Sequence, residues 1–153
     1  MNKFMLEAIN EAKQGLSEGG IPIGSVIVKN NEILGRGHNR RVQKGSSILH
    51  AEMDALENVG RQPASFYRDV VLYTTLSPCC MCTGAILLYK ISHVIIGENK
   101  TFLGSEELLR SKGVIVEVLN DETCYKLMQE FILKNPTLWN EDIGTESSVS
   151  IEN

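Results

Sequence analysis

Apolar residues at Leu6, Ile9, Ala12 and Leu16 repeat with helical spacing and stop at Gly19-Gly20, so an amphipathic helix with a glycine end is predicted there. Pro22 interrupts the pattern, and the apolar run Ile23 to Val28 reads as a strand. Lys29-Asn30-Asn31 supplies a turn, and Ile33 to Gly37 returns as the second arm of a hairpin. A loop is expected over His38 to Ser47. Leu49, Met53 and Leu56 then resume helical spacing, with Ser46 or Ser47 placed to cap that helix. Further on, the pattern predicts a strand over Val70 to Thr75, a helix from Pro78 to about Tyr89 and a short buried strand over Val94 to Gly97. It continues with a short helix over Glu106 to Ser111, a strand over Val114 to Leu119 and a closing helix over Asp121 to Lys134. Strands that alternate with helices after one antiparallel hairpin predict an α/β fold. The expectation is one domain of three α/β/α layers, a mixed five-stranded sheet with helices on both faces. Thr145 to Asn153 are polar and are expected to fray.

Composition narrows the classes. A chain of 153 residues that is 42% hydrophobic holds one domain with an ordinary core. No apolar run is long enough to cross a membrane, and Met1 to Gly20 mixes charged and apolar residues unlike a signal peptide, so a cytoplasmic protein is expected. Three of the four cysteines crowd into positions 79 to 82 and Cys124 stands apart, which fits a reducing compartment better than a disulfide framework. The net charge is −4, and from Glu117 onward eight acidic residues face only Lys126 and Lys134, which argues against a nucleic-acid partner. The one basic cluster, Arg36, Arg40, Arg41 and Lys44, lacks interleaved aromatics and reads as a solvated loop. His38 and His93 have no partner spacing and read as packing or surface residues.

The chemistry-bearing residues lie in two places, His50 with Glu52, and Pro78-Cys79-Cys80-Met81-Cys82. Cys79 and Cys82 are three apart, which on a helix puts both sulfurs on one face and turns Cys80 roughly 100° away. Pro78 suits a first helical turn, where unpaired N–H groups favour thiolates. His50, Cys79 and Cys82 make three ligands, and a zinc with three protein ligands keeps a place for water, which marks a catalytic centre. Two thiolates and a neutral imidazole leave that zinc formally uncharged, so a nearby base is needed, and Glu52 fills the role. A lone C-x-x-C also fits a redox pair or half of a closed zinc knuckle. The first leaves His50 and Glu52 unexplained, and the second needs a fourth ligand that Cys80 is poorly placed to give.

The order H-x-E followed by P-C-x-x-C resembles the cytidine deaminase superfamily. From Gly20 to Gly144 the chain is similar to the small fungal-type cytosine deaminases. The resemblance rests on Gly35-Arg36-Gly37-His38-Asn39, Leu49-His50-Ala51-Glu52, Leu72 to Cys79, Cys82-Thr83-Gly84-Ala85-Ile86, Ile96-Gly97-Glu98-Asn99 and Glu141-Asp142-Ile143-Gly144. It implies a deaminase domain over 1–144 with a polar tail over 145–153, one Zn2+ per subunit on His50, Cys79 and Cys82, and Glu52 as the proton shuttle. It further implies that Asn39 meets the amide edge of a pyrimidine, that Asp142 and the Ser77 carbonyl hold the exocyclic amine, that Phe102 and Trp139 wall the pocket, and that the chain end covers it. Ala51 stands beside the metal where the fungal pattern has glycine, and Cys80 stands where it has aspartate, so Ala51 is expected to trim the pocket. A homodimer is implied as well.

The activity these expectations describe is hydrolytic deamination of free cytosine to uracil and ammonia in pyrimidine salvage, extending to 5-substituted cytosines. Another small planar amidine, creatinine or isocytosine, is the nearest alternative. A nucleic-acid-editing deaminase or a noncatalytic zinc module stands further off.

Overall fold

The computed structural model describes residues 2–145. The expected tail over 145–153 therefore lies outside the described residues apart from Thr145, which is tied down: its N–H donates to the carbonyl of Asn140 at 2.8 Å. Helix α1 spans Lys3–Ser17, capped by Asn2, whose side chain accepts from the N–H groups of Phe4 and Met5. Strands β1 (Gly24–Lys29) and β2 (Glu32–His38) form the hairpin, and both turn residues, Asn30 and Asn31, have positive φ, as a tight two-residue turn requires. Next come α2 (Arg41–Lys44), α3 (Ala51–Val59), a 3-10 turn over Ala64–Tyr67 and β3 (Val70–Leu76). The rest is α4 (Cys80–Leu88), β4 (His93–Glu98), α5 (Glu106–Ser111), β5 (Ile115–Val118), α6 (Glu122–Lys134) and α7 (Pro136–Asp142).

The strand order is β2-β1-β3-β4-β5. β1 runs antiparallel to β2 and β3, whereas β3, β4 and β5 are parallel, so the sheet is mixed as expected. Alternation along the strands feeds two cores. Ile27, Leu72, Val94 and Ile96 face α3, α4 and α5, while Val26, Val28, Tyr73 and Ile95 face α1 and α6. Val26, Ile27, Leu72, Val94 and Ile96 are at most 1% exposed, and each gains about 1.5–3 kcal/mol by leaving water. At Gly24 and Gly37 a Cβ would collide with the backbone of α1 and α3 respectively, so these glycines let both helices lie directly on the hairpin.

Several details differ from the sequence expectation. Pro78 precedes the helix rather than opening it, because Cys79 is the N-cap of α4. Neither Ser46 nor Ser47 caps α3: His50 is its N-cap, and Ser46 Oγ accepts from the N–H groups of Ile48 and Leu49, holding the turn before it. The solvated basic loop is also corrected. Part of it is α2, Arg36 pairs with Glu7 at 3.0 Å, Arg40 lies 3.6 Å from Asp54, and the Arg41 side chain is only 13% exposed.

Candidate active site

β3 ends at Leu76, and the chain turns through Ser77 and Pro78 into α4, so Cys79 and Cys82 stand at the carboxyl edge of the parallel part of the sheet. The start of α3 brings His50, Ala51 and Glu52 to the same place. Two residues that diverge in a helix interior converge here because His50, with extended backbone, lies just outside the first turn while Glu52 lies inside it.

The three expected ligands form a compact cluster. His50 Nδ1 lies 3.4 Å from Cys79 Sγ and 3.8 Å from Cys82 Sγ, and the two sulfurs are 3.8 Å apart. A tetrahedral zinc with Zn–S of about 2.3 Å and Zn–N of about 2.0–2.1 Å spaces its ligands about 3.8 Å (S to S) and about 3.6 Å (S to N). The donor set and its spacing therefore fit one zinc ion. Cys80 is exposed and takes no part in the cluster. The other ring nitrogen of His50, Nε2, faces Asp142 Oδ1 at 3.3 Å, so a carboxylate fixes the ring and turns Nδ1 toward the thiols.

The electrostatics follow from burial and proximity. Burial alone would lower the His50 pKa, but hydrogen bonds with Asp142 and Cys79 outweigh it and raise the value to about 10. The Cys82 thiol, followed by His50, stabilises the Cys79 thiolate against burial and brings it down to about 4. The contact with Cys79, followed by burial, drives Cys82 the other way. A cation among the three would displace the remaining protons. Glu52 is 4% exposed, and burial pushes its carboxyl up to about 7 although the positive His50 opposes the shift. It can therefore take up and release a proton near neutrality.

A small cavity, with about 310 Å³ of space counted out into the solvent at its mouth, joins these groups. Of the residues predicted from sequence, His50, Ala51, Glu52, Ser77, Cys79, Phe102, Trp139 and Asp142 line it, and Cys82 closes the ligand cluster behind. Phe102 and Trp139 meet edge to face, with ring centroids 6.3 Å apart. Asn39 does not line the cavity. It is fully buried behind Asp142, donating from Nδ2 to Asp142 Oδ1 at 2.8 Å and accepting at Oδ1 from the N–H of Arg41. Ile23, Leu76 and Ile143 complete the walls. Sequence reasoning gave them no site role, because an apolar residue in a strand or near a chain end reads as core. Arg41 read instead as a solvated charge, because its guanidinium's partners, Glu141 at 3.5 Å and Asp142 at 3.9 Å, lie about a hundred residues away along the chain.

Helix α7, absent from the sequence expectation, carries Trp139 and Asp142 over the cavity. It has only seven residues and no clear apolar period. Its one start signal is Pro136 in the first turn, directly after Asn135 has closed α6.

Comparison with known proteins places this arrangement. Residues 1–98 match the family described as the cytidine and deoxycytidylate deaminase zinc-binding region. The cytosine deaminase of Candida albicans is 58% identical over 143 residues, covering 93% of this chain and 95% of that one. A tRNA-specific adenosine deaminase of Streptococcus pyogenes serotype M18 is 43% identical over 138 residues, 84% of this chain and 87% of that one. The solved guanine deaminase of Nitrosomonas europaea superposes with a TM-score of 0.72 at 20% identity, covering 84% of this chain and 82% of that one, which is a likeness of fold.

Proposed function

We propose, from the premise that this chain belongs to the cytidine and deoxycytidylate deaminase family, that it is a zinc-dependent hydrolase converting free cytosine to uracil and ammonia. The observation that carries the reading is the small cavity roofed by α7. It places two aromatic walls and a buried carboxylate next to a three-ligand metal cluster. Two aromatic rings and a carboxylate closing on so small a space suit one flat heterocycle. The similarity to the Candida albicans enzyme supports the same base.

Zinc held by His50, Cys79 and Cys82 would supply a Lewis acid with an open position that lowers the pKa of water there. Glu52 takes a proton from the attacking water and passes it to the ring nitrogen beside C4, then delivers a proton to the departing amine. Oxygen adds to C4, the bond from C4 to the exocyclic nitrogen breaks, and ammonia leaves. Asp142 and the Ser77 carbonyl accept from the exocyclic amine and so select that edge of the ring. Asn39 gives one amide N–H to Asp142 and so aims that carboxylate; its own contact with the amide edge of the base needs Asp142 to give way, since Asn39 does not line the cavity. Phe102 and Trp139 enclose the flat ring and keep water from it, and Ala51 borders it at the metal side. The reading further places the deaminase domain at 1–144, in a homodimer, in the cytoplasm. Four free cysteines support the last point, and no helix among the described residues is long and apolar enough to cross a membrane.

Release of ammonia from cytosine, 5-methylcytosine, isocytosine, creatinine, guanine and an adenosine-containing RNA hairpin tests this. Cytosine is expected to give the highest kcat/KM and the hairpin no product. Preferred turnover of isocytosine or creatinine would reassign the substrate. Turnover of the hairpin would move the protein toward its Streptococcus pyogenes relative.

A further inference from the structure

Glu106, the first residue of α5, takes no part in the proposed reaction, yet it is an acceptor for several groups beside the cavity. Its side chain is 3% exposed. Ser77 Oγ lies 2.6 Å from Oε2, Asn99 Nδ2 lies 3.3 and 3.2 Å from the two carboxylate oxygens, and the Arg110 guanidinium lies 3.5 Å from Oε1. Ser77 Oγ in turn accepts the N–H of Gly104 at 2.9 Å. A hydroxyl has a single proton, and one that accepts from Gly104 remains free to give it to Glu106. Every group facing Glu106 is therefore a donor, and the site calls for a side chain that only accepts.

The tie joins two walls of the cavity. Ser77 lies between Leu76, which lines it, and the Cys79 ligand, while Gly104 follows Phe102 by two positions. The Ser105 N–H donates to the Pro78 carbonyl at 3.2 Å, and a Cβ on Gly104 would collide with that same carbonyl. At the other end of the segment, the buried Glu98 carboxylate accepts from the N–H groups of Lys100 and Thr101 at 2.8 and 2.9 Å. The loop carrying Phe102 is thus held at both ends by buried carboxylates; the Glu98 end meets Ser77 through the backbone, its carbonyl accepting the Ser77 N–H at 3.2 Å, and the Glu106 end meets it through the side chain.

We propose that Glu106 is a positioning residue which, through the Ser77 hydroxyl, sets the gap between Phe102 and the Ser77 wall and so governs how tightly a planar base is held. This rests on the deaminase reading, since it takes the cavity as the substrate site.

In Glu106→Gln the new amide N–H would face other donors. KM for cytosine is expected to rise on the order of tenfold while kcat per zinc-loaded site stays within about twofold. Ser77→Ala is expected to do the same, and the double variant to be no worse than the worse single one, because both cut the same bond. Exchange of the Gly104 amide with solvent should be on the order of tenfold faster in each variant, with or without zinc. Unchanged KM with full protection at Gly104, or additive losses in the double variant, would overturn the proposal. Should Glu106→Gln not fold, Glu106→Asp, which keeps the charge but draws it back from Ser77 Oγ, decides by the same two measurements. Failure of the wild type to turn over any base would instead overturn the reaction assigned to the cavity, while the exchange comparison would still test the tie.

Discussion

Glu52 is nearly out of reach of solvent, and its carboxyl sits at about 7, so its shape and its acidity can be separated by one substitution. Glu52→Gln is expected to retain one zinc per chain and to lose about 10²- to 10⁴-fold in kcat. Metal analysis and steady-state kinetics on the same sample check both halves, and undiminished turnover would take Glu52 out of the reaction. At this scale the sequence was readable where unlike donors stood at fixed spacing. His50, Glu52, Cys79 and Cys82 restrict one another, and the fold brings them together. Asp142 and Trp139 carry no such spacing, and only resemblance singled them out; the structure seats both in the cavity. Glu106 and Arg41 were illegible, because a charged side chain reads as surface until its distant partners are known.

Between elements, His38 is the clearest joint. It leaves β2 for α1, with Nδ1 3.0 Å from Glu11 and Nε2 2.8 Å from Glu18. The hydrogen bond to Glu11 outweighs burial, Glu18 adds to it, and the His38 pKa is raised. Glu18 is lowered, first by His38. A raised histidine stabilises the fold fully below its unfolded value of about 6.5, and that contribution fades as pH rises through the folded value. A lowered glutamate stabilises above its unfolded value, and the contribution is lost as pH falls through the folded one. The joint is therefore strongest between the lowered Glu18 and the raised His38. The difference in Tm between wild type and His38→Gln should be widest near pH 6 and shrink in alkaline buffer; a gap that grows with pH would contradict this charge state. Long periodic elements such as α1 and α6 were legible because each buries a continuous stripe. Helix α7 was not, since it owes its place to α6 and the cavity beneath it rather than to a stripe of its own.

For the whole molecule, the alternation that feeds two cores made the layered sheet predictable, whereas the antiparallel join of β1 to β3 could not be read from strand lengths. Domain extent is open to a direct test. A chain stopped after Thr145 keeps the N–H that donates to Asn140, so its kcat/KM for cytosine is expected within about twofold of the full chain, and a larger loss would extend the domain beyond 144.

The roof of the cavity is contributed by residues 136–142, whereas the last of the three ligands is already in place at residue 82. During synthesis all three donors therefore emerge before the residues that enclose a base, but Asp142, which fixes the His50 ring, emerges with the roof. The oriented grip on an ion and the chamber that uses it are completed by the same last helix, and a polypeptide cut short before residue 136 would have neither.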